Sequence, residues 1–363
     1  MTSAVVATRT PAAVRPARIA LLGTGTVGSA VLARLAGWQG TALGERLSLR
    51  YAANSRFAFQ PSSFVDAVER AARCDHPRAI APPPSAVPLM LGEYGVRILI
   101  DATASEAVAD RHAAWLAQGI HVVTACKLGQ GTSLARWRAI HDAQRTGNSH
   151  YGDSATVGAG LPLLRSIRAL QIGGDRIHAI AGVLSGSLAW LFNQYDGLRP
   201  FSGFVRQARA AGYTEPDPRD DLSGEDVRRK ILILARAAGV ALDSDDIEVA
   251  SLVPPVLATL AAADVDAALP ELDAAMRERY ADAYKRGEKL HFIARLEDGK
   301  ARVGLESLPA DHPLAGGAGT DNKVAIWSDR YRQQPLVIQG PGAGADVTAA
   351  GLLDDALKIA ANP

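Results

Sequence analysis

The 363-residue sequence contains only two cysteines, Cys74 and Cys126. Two thiols exclude a disulfide framework and a four-cysteine zinc site, and such sparing use fits a reducing, cytoplasmic compartment. No unbroken apolar run approaches the roughly 20 residues of a membrane helix, so no span is expected. Neither sign of charge prevails: 39 Lys and Arg stand against 38 Asp and Glu, a net of +1. That balance offers no electrostatic footprint for nucleic acid or an acidic membrane, and the expected partner is a small molecule. The eight histidines show no zinc-pair spacing. His112, His121 and His141 read as surface or helix residues, and His312, in "ADHPL", is a secondary candidate for a site. The opening "MTSAVVATRTPAAVRPA" lacks the apolar centre of a secretory signal and is expected to be a disordered leader over residues 1–17.

Hydrophobic residues make up 48% of the chain, enough to build two cores. In "ARIALLGTGTVGSAVLARLAG" a short apolar run ends in Gly23, Gly25 and Gly28, and Val27, Val31, Leu32 and Leu35 then recur at helical spacing. This predicts strand, tight turn, helix. Further strands are expected at "LSLRYAANSR", "VRILIDAT" and "HVVTAC", with a Pro-rich connector at "IAPPPSAVP" and a helix from Glu106 to Gln118. Strands alternating with helices predict an α/β fold with a parallel sheet. After about residue 155 the rhythm changes to that of an inserted α+β domain. Its hairpin turns at Asp298-Gly299. The final "DVTAAGLLDDALKIA" reads as an amphipathic helix, capped by Asp346, returning to the first domain.

The glycine turn has a chemical use. Gly23 and Gly25 let backbone approach a pyrophosphate with no Cβ in the way, and the free N–H groups of Thr26, Val27 and Gly28 at the helix start offer it partial positive charge. The second strand should then select the cofactor. An NAD site usually carries Asp or Glu there, for the ribose 2′-OH. Here Asn54, Ser55 and Arg56 suit a 2′-phosphate, so NADP is expected over NAD.

The most heavily charged stretch, "GYTEPDPRDDLSGEDVRRK", precedes the apolar run "ILILARAAGV". Asp226 and Lys230 are four apart and share a helix face. Val227, Ile231, Leu234 and Ala238 form the buried stripe beside them. Pro216 and Pro218 are expected to hold Glu215, Asp217, Asp220 and Asp221 in extended or turn geometry. A rigid acidic loop beside a partly buried lysine suits an ammonium-bearing substrate, with the lysine as proton donor; a surface ion pair is the alternative.

"GYTEPDPRDDLSGEDVRRKILILAR", with "VVTACK", "ATVGAGLP", "GVLSGSL" and "GPGAGADVTAAG", closely resembles homoserine dehydrogenase, in order from about residue 18 onward. The resemblance implies a Rossmann-type domain (18–155 plus about 340–363), an inserted catalytic and dimerisation domain (156–339) and a homodimer. It implies NAD(P)H-dependent reduction of L-aspartate 4-semialdehyde to L-homoserine, in threonine and methionine biosynthesis. By the same likeness Glu215 and Asp221 bind substrate, Asp226 positions it, Lys230 donates the proton, and Lys127 lies near nicotinamide and substrate. Thr103 and Gly342 fall near the cofactor. Backbone carbonyls of Val157, Ala159 and Leu161 correspond to those holding a monovalent cation such as sodium. No fused kinase or C-terminal regulatory module is expected.

Three departures from the family pattern stand out: Ala102 and Ala104 flank Thr103 where the family has Asn and Ser, Cys126 replaces an asparagine before Lys127, and Ser154 replaces a glutamate. Two rival readings follow. Cys126, beside Lys127, could be the nucleophile of an aldehyde dehydrogenase. Alternatively, the substitutions mark a paralogue that binds NADP(H) without turnover, as a sensor or partner subunit.

Overall fold

The computed structural model describes residues 15–73 and 87–362. Cys74, most of the Pro-rich connector and the first 14 residues of the leader lie outside them. The architecture is mixed α/β, built on two six-stranded sheets.

The first sheet comprises β1 (Ala17–Leu22), β2 (Leu47–Ala53), β3 (Ala58–Phe59), β4 (Arg97–Asp101), β5 (His121–Thr124) and β6 (Tyr151–Gly152), ordered β3-β2-β1-β4-β5-β6. All pairings are parallel except that of the short edge strand β3 with β2. Strands buried on both faces read as continuous apolar runs, as "IALL" and "ILI" do. Strand order reverses direction between β1 and β4, so the loops after these two strands diverge and leave a crevice at their C-terminal ends. The helix Thr26–Gly37 turns Val31, Leu32 and Leu35 into the core. The C-terminal helix Ala345–Ala361 joins the same core through Ala349, Leu352, Leu353 and Ala356. Its N-cap is Gly344, without a side-chain cap. Asp346 instead sits inside the first turn, where its charge still complements the helix N-terminus.

The expected helix from Glu106 to Gln118 is two pieces, Glu106–Ala109 and His112–Ala117. The chain breaks at Asp110 and Arg111, where the carboxylates of Glu106 and Asp110 both turn to Arg136.

The second sheet comprises β7 (Ile177–Val183), β8 (Glu248–Val249), β9 (Glu288–Glu297), β10 (Lys300–Pro309), β11 (Asn322–Ser328) and β12 (Leu336–Gly340), ordered β12-β11-β7-β9-β10-β8. β9 and β10 form the expected hairpin, and both Asp298 and Gly299 adopt left-handed backbone at its turn. One face of this sheet packs on the helix Glu225–Ala237, whose residues from Lys230 to Arg236 are buried on every side. A helix apolar all round belongs inside a core, and "ILILA" obeys that rule. It also holds its first turn still.

Candidate active site

That first turn carries Asp226 and Lys230. Lys230 Nζ lies 2.7 Å from Asp226 Oδ2 and donates to the Leu184 carbonyl at 2.7 Å. Lys127 Nζ, arriving from the turn after β5, lies 3.2 Å from Asp226 Oδ1. One carboxylate therefore bridges two ammonium groups from different halves of the chain. Lys230 is 9% exposed, and two of its three N–H donors are spent on Asp226 and Leu184, which leaves one for a ligand.

The electrostatics follow from burial and proximity. Burial pushes the Lys230 ammonium down, Lys127 adds to this, and the attraction of Asp226 only partly offsets them, so Lys230 titrates below an ordinary lysine. Burial pushes the Asp226 carboxyl up, but the charges of Lys230 and Lys127 and its hydrogen bonds to both more than reverse this. Asp226 is held well below the usual carboxylate range.

These groups line a cavity of about 820 Å³ at the crevice, together with Glu215 and Asp221. Pro218 is not in an extended loop, as the prolines suggested: it opens the short helix Pro218–Leu222 as its first residue, where a missing N–H costs nothing. Asp217 caps that helix and pairs with Arg219, which reaches the Leu257 and Leu260 carbonyls. Asp217 is therefore committed to structure. Asp221 is committed too: one oxygen accepts from Ser187 Oγ at 2.6 Å, the other from the Glu215 N–H at 2.8 Å. It fixes the Glu215 loop, and the Glu215 carboxylate itself has no ion pair or hydrogen bond among the described residues. A free carboxylate in the cavity is a receptor for a cation. Arg229, which sequence reasoning passed over, also lines the cavity, with no partner for its guanidinium among the described residues. Its signal was the second base of "DVRRK".

The opposite wall carries the glycine turn. Val27, Thr103 and Gly342 line the cavity, Thr103 between Ala102 and Ala104. Gly23 has φ +92°, and a Cβ there would come within 2.7 Å of the Ala102 carbonyl oxygen. A Cβ on Gly28 would collide with the Gly23 carbonyl, so both glycines are dictated by close backbone packing. Gly25 differs: a Cβ there would meet nothing within 4 Å. Its surroundings are open at the N-terminus of a helix with no side-chain cap, a geometry that accepts a phosphate. Asn54 is not free for a ligand. Its amide donates to Thr24 Oγ1 at 2.7 Å and its oxygen accepts from the N–H groups of Arg56 and Phe57, tying the end of β2 to the glycine turn. Ser55 and Arg56 are exposed, and the Arg56 guanidinium has no partner among the described residues.

Of the residues expected to hold a cation by their carbonyls, Ala159 lines the cavity, whereas Val157 is fully buried and Leu161 lies off it. Gly158 and Ala159 take consecutive left-handed conformations, at φ +75° and +52°. Ser154 does not face this turn: its N–H and hydroxyl both bond to Asp355 of the C-terminal helix, each at 2.9 Å.

Cys126 is buried. Burial first, and Asp101 second, push its thiol up to about 11, against a weaker pull from Lys127. A thiol so raised is protonated and inert at neutral pH, contrary to the nucleophile reading. His112, expected on a surface or helix, starts a helix but is fully buried, against Asp101.

A glycine turn at a topological switch point, facing a lysine pair across one cleft, is the arrangement of the dinucleotide-binding class of α/β fold. The family model described as "Homoserine dehydrogenase" matches residues 162–357, and that described as "Homoserine dehydrogenase, NAD binding domain" matches residues 23–152. The chain belongs to the homoserine dehydrogenase family. It is 40% identical over 278 residues to a homoserine dehydrogenase of Emericella nidulans, covering 73% of this chain and 76% of that protein. It is 44% identical over 267 residues to bifunctional aspartokinase/homoserine dehydrogenase 2, chloroplastic, of Zea mays, covering 73% of this chain. The chain spans only 29% of that longer protein's length. Among solved structures, a Candida auris protein described as of unknown function superposes with a TM-score of 0.86 at 35% identity, over 96% of this chain and 99% of its own.

Proposed function

We propose that this protein reduces L-aspartate 4-semialdehyde to L-homoserine, reversibly, with NADPH. One observation carries the reading: Asp226 bridges Lys230 and Lys127 inside a cavity whose other wall is the glycine-turn domain. NADPH, when bound, supplies the hydride. The residues suited to hold it are the N–H groups around Gly25 to Gly28, Thr103 and Gly342 at the nicotinamide end, and Ser55 and Arg56 for the 2′-phosphate. Asn54 serves by bracing this wall. The absence of an acid after β2 and the unpaired Arg56 support NADPH over NADH.

The substrate is an amino acid with an aldehyde. Glu215 takes its ammonium, Asp221 holds Glu215 in place, and Arg229 takes its carboxylate. The remaining N–H of Lys230 points the proton at the carbonyl oxygen as charge develops there. This is general acid catalysis with electrostatic stabilisation, worth roughly 10²- to 10⁴-fold in rate. Asp226 keeps both lysines charged and spaced, and Lys127 adds a second positive charge beside the forming alkoxide. A monovalent cation on the Val157, Ala159 and Leu161 carbonyls would sit at the left-handed turn of Gly158 and Ala159 and share the Leu161 oxygen with the Leu163 N–H. It would tie the start of the second domain (156–339) to the first (18–155 with 340–363).

We also assign the chain to the cytosol as a homodimer. Support comes from the sparse cysteines and the open edge of the second sheet at β12; no helix among the described residues is long and apolar enough to cross a membrane. Gel filtration tests the dimer. The central test incubates purified protein with homoserine and NADP⁺ at alkaline pH and follows nicotinamide absorbance. Wild type is expected to turn over and Lys230→Ala to lose about 10³-fold or more in kcat while still binding NADPH. If both are silent while cofactor binds, the non-catalytic sensor reading replaces this one.

A further inference from the structure

Beneath the cleft lies a buried cluster that the chemistry above does not use. Asp101, the last residue of β4, and His112 are both fully buried, and His112 Nε2 lies 3.0 Å from Asp101 Oδ2. The other ring nitrogen, Nδ1, lies 2.9 Å from Tyr151 Oη. Asp101 Oδ1 accepts from the Thr103 N–H at 2.9 Å and from Thr103 Oγ1 at 2.6 Å. Asp101 Oδ2 also accepts from Thr124 Oγ1 at 3.1 Å, and that hydroxyl in turn accepts from the Cys126 N–H at 2.8 Å. One carboxylate thus grips two turns: the Thr103 turn on the cofactor wall, and the turn that presents Lys127.

A third contact closes the arrangement. Gly129, two residues past Lys127, sits on the His112–Tyr151 pair so tightly that a Cβ there would strike Tyr151 Oη and come within 3.1 Å of His112 Nδ1. Thr103 N–H, Thr103 Oγ1 and Thr124 Oγ1 donate to the Asp101 carboxylate, and His112 Nε2 takes the fourth place in the tautomer that carries its proton there. Burial keeps the Tyr151 phenol protonated. Every polar atom in the cluster has a partner, the condition under which a buried network rigidifies its surroundings.

Building on the functional reading above, we propose that His112 is a positioning residue. It locks Asp101, and through Asp101 and Gly129 it sets the separation between the cofactor-facing Thr103 turn and the Lys127 turn. Hydride and proton must arrive from opposite walls at one carbonyl, so an error in that separation reduces the rate without touching either donor.

The test uses His112→Ala, His112→Gln and Tyr151→Phe in the full chain, reading melting temperature, NADPH Kd by fluorescence, and kcat and KM with homoserine. His112→Ala is expected to lower kcat about 10- to 100-fold, the scale of a misplacement near 1 Å, and to weaken NADPH severalfold. His112→Gln, which keeps an N–H for Asp101, is expected to recover most of both. Tyr151→Phe leaves the Asp101–His112 bond and should lose less than His112→Ala. If His112→Ala does not fold, the Gln and Phe variants still decide: the proposal requires Tyr151→Phe to lower kcat. Variants that melt earlier yet keep native kcat, KM and NADPH Kd would reduce the cluster to a stability element and overturn the proposal. Should wild type fail to turn over homoserine, the functional reading fails on its own, and the NADPH Kd series still judges this one.

Discussion

The two walls of the cleft solve the problem of holding a ligand in opposite ways. On the proposed cofactor wall the groups are small and uncharged, Val27, Ala102, Ala104, Gly342 and Ala343 among them, a surface suited to recognition by backbone N–H groups that glycine leaves uncovered. On the substrate wall Lys127, Glu215, Asp226, Arg229 and Lys230 crowd charge into a partly dry space. The first wall tolerates no added atoms at Gly23 and Gly28, while the second tolerates no lost charge. Steric economy suits a long ligand carrying its own phosphates; opposed charges suit a short zwitterion that must be oriented at both ends.

The contrast can be broken at its strongest point first. Asp226→Asn strips both lysines of their shared counter-ion and is expected to lower kcat/KM about 10²- to 10³-fold, with NADPH Kd nearly unchanged, since the cofactor wall holds its ligand without this charge. Equal losses in turnover and cofactor affinity would show that the walls are not separable.

A pH profile sharpens the same point. The proposed reduction needs Lys230 protonated, and burial lowers its pKa. The reductive rate should therefore fall as pH rises through a value below that of an ordinary lysine, while homoserine oxidation, which needs the neutral amine, rises over the same interval. Removing the Asp226 charge should move both limbs to lower pH. Limbs that stay fixed would assign the titration to another group.

The smallest effect is expected at Arg56, exposed just past β2. Arg56→Ala should raise KM for NADPH about 10-fold, the loss of one charge-assisted contact, and leave KM for NADH within about twofold. Equal changes for both cofactors would remove Arg56 from the choice between them.

What the sequence disclosed depended on range. Local patterns carried well: the glycine turn after an apolar strand, the Asp298-Gly299 hairpin and the Asp226–Lys230 spacing all follow from backbone rules spanning a few residues, and the structure has each. Contacts between distant segments did not. Nothing within four residues of Asp226 announces Lys127, 99 positions earlier, as its second partner. His112 looked ordinary because helix position says nothing of what lies above it; only the sheet order β1-β4-β5-β6 brings Asp101, His112 and Tyr151 together. An aspartate closing the apolar run "ILID" was the available clue, since a carboxylate at the end of a buried strand needs partners. The acidic loop misled for a related reason. Which carboxylates are spent on Ser187 or Arg219 and which remain free is a tertiary question, and composition counts them alike.

The C-terminal helix belongs to the first domain although the second intervenes, so the polypeptide passes between the halves twice. Both passages lie side by side: a Cβ on Gly160 would stand 3.0 Å from the Val347 carbonyl oxygen, and one on Gly340 would stand 3.0 Å from a Leu161 methyl. Both passages line the cavity, through Gly158 and Ala159 on one and Gly342 to Gly344 on the other. Arg236 fastens the same two halves elsewhere, donating to the Gln130 and Thr132 carbonyls, so whatever the cavity holds is framed by backbone that is pinned on both sides.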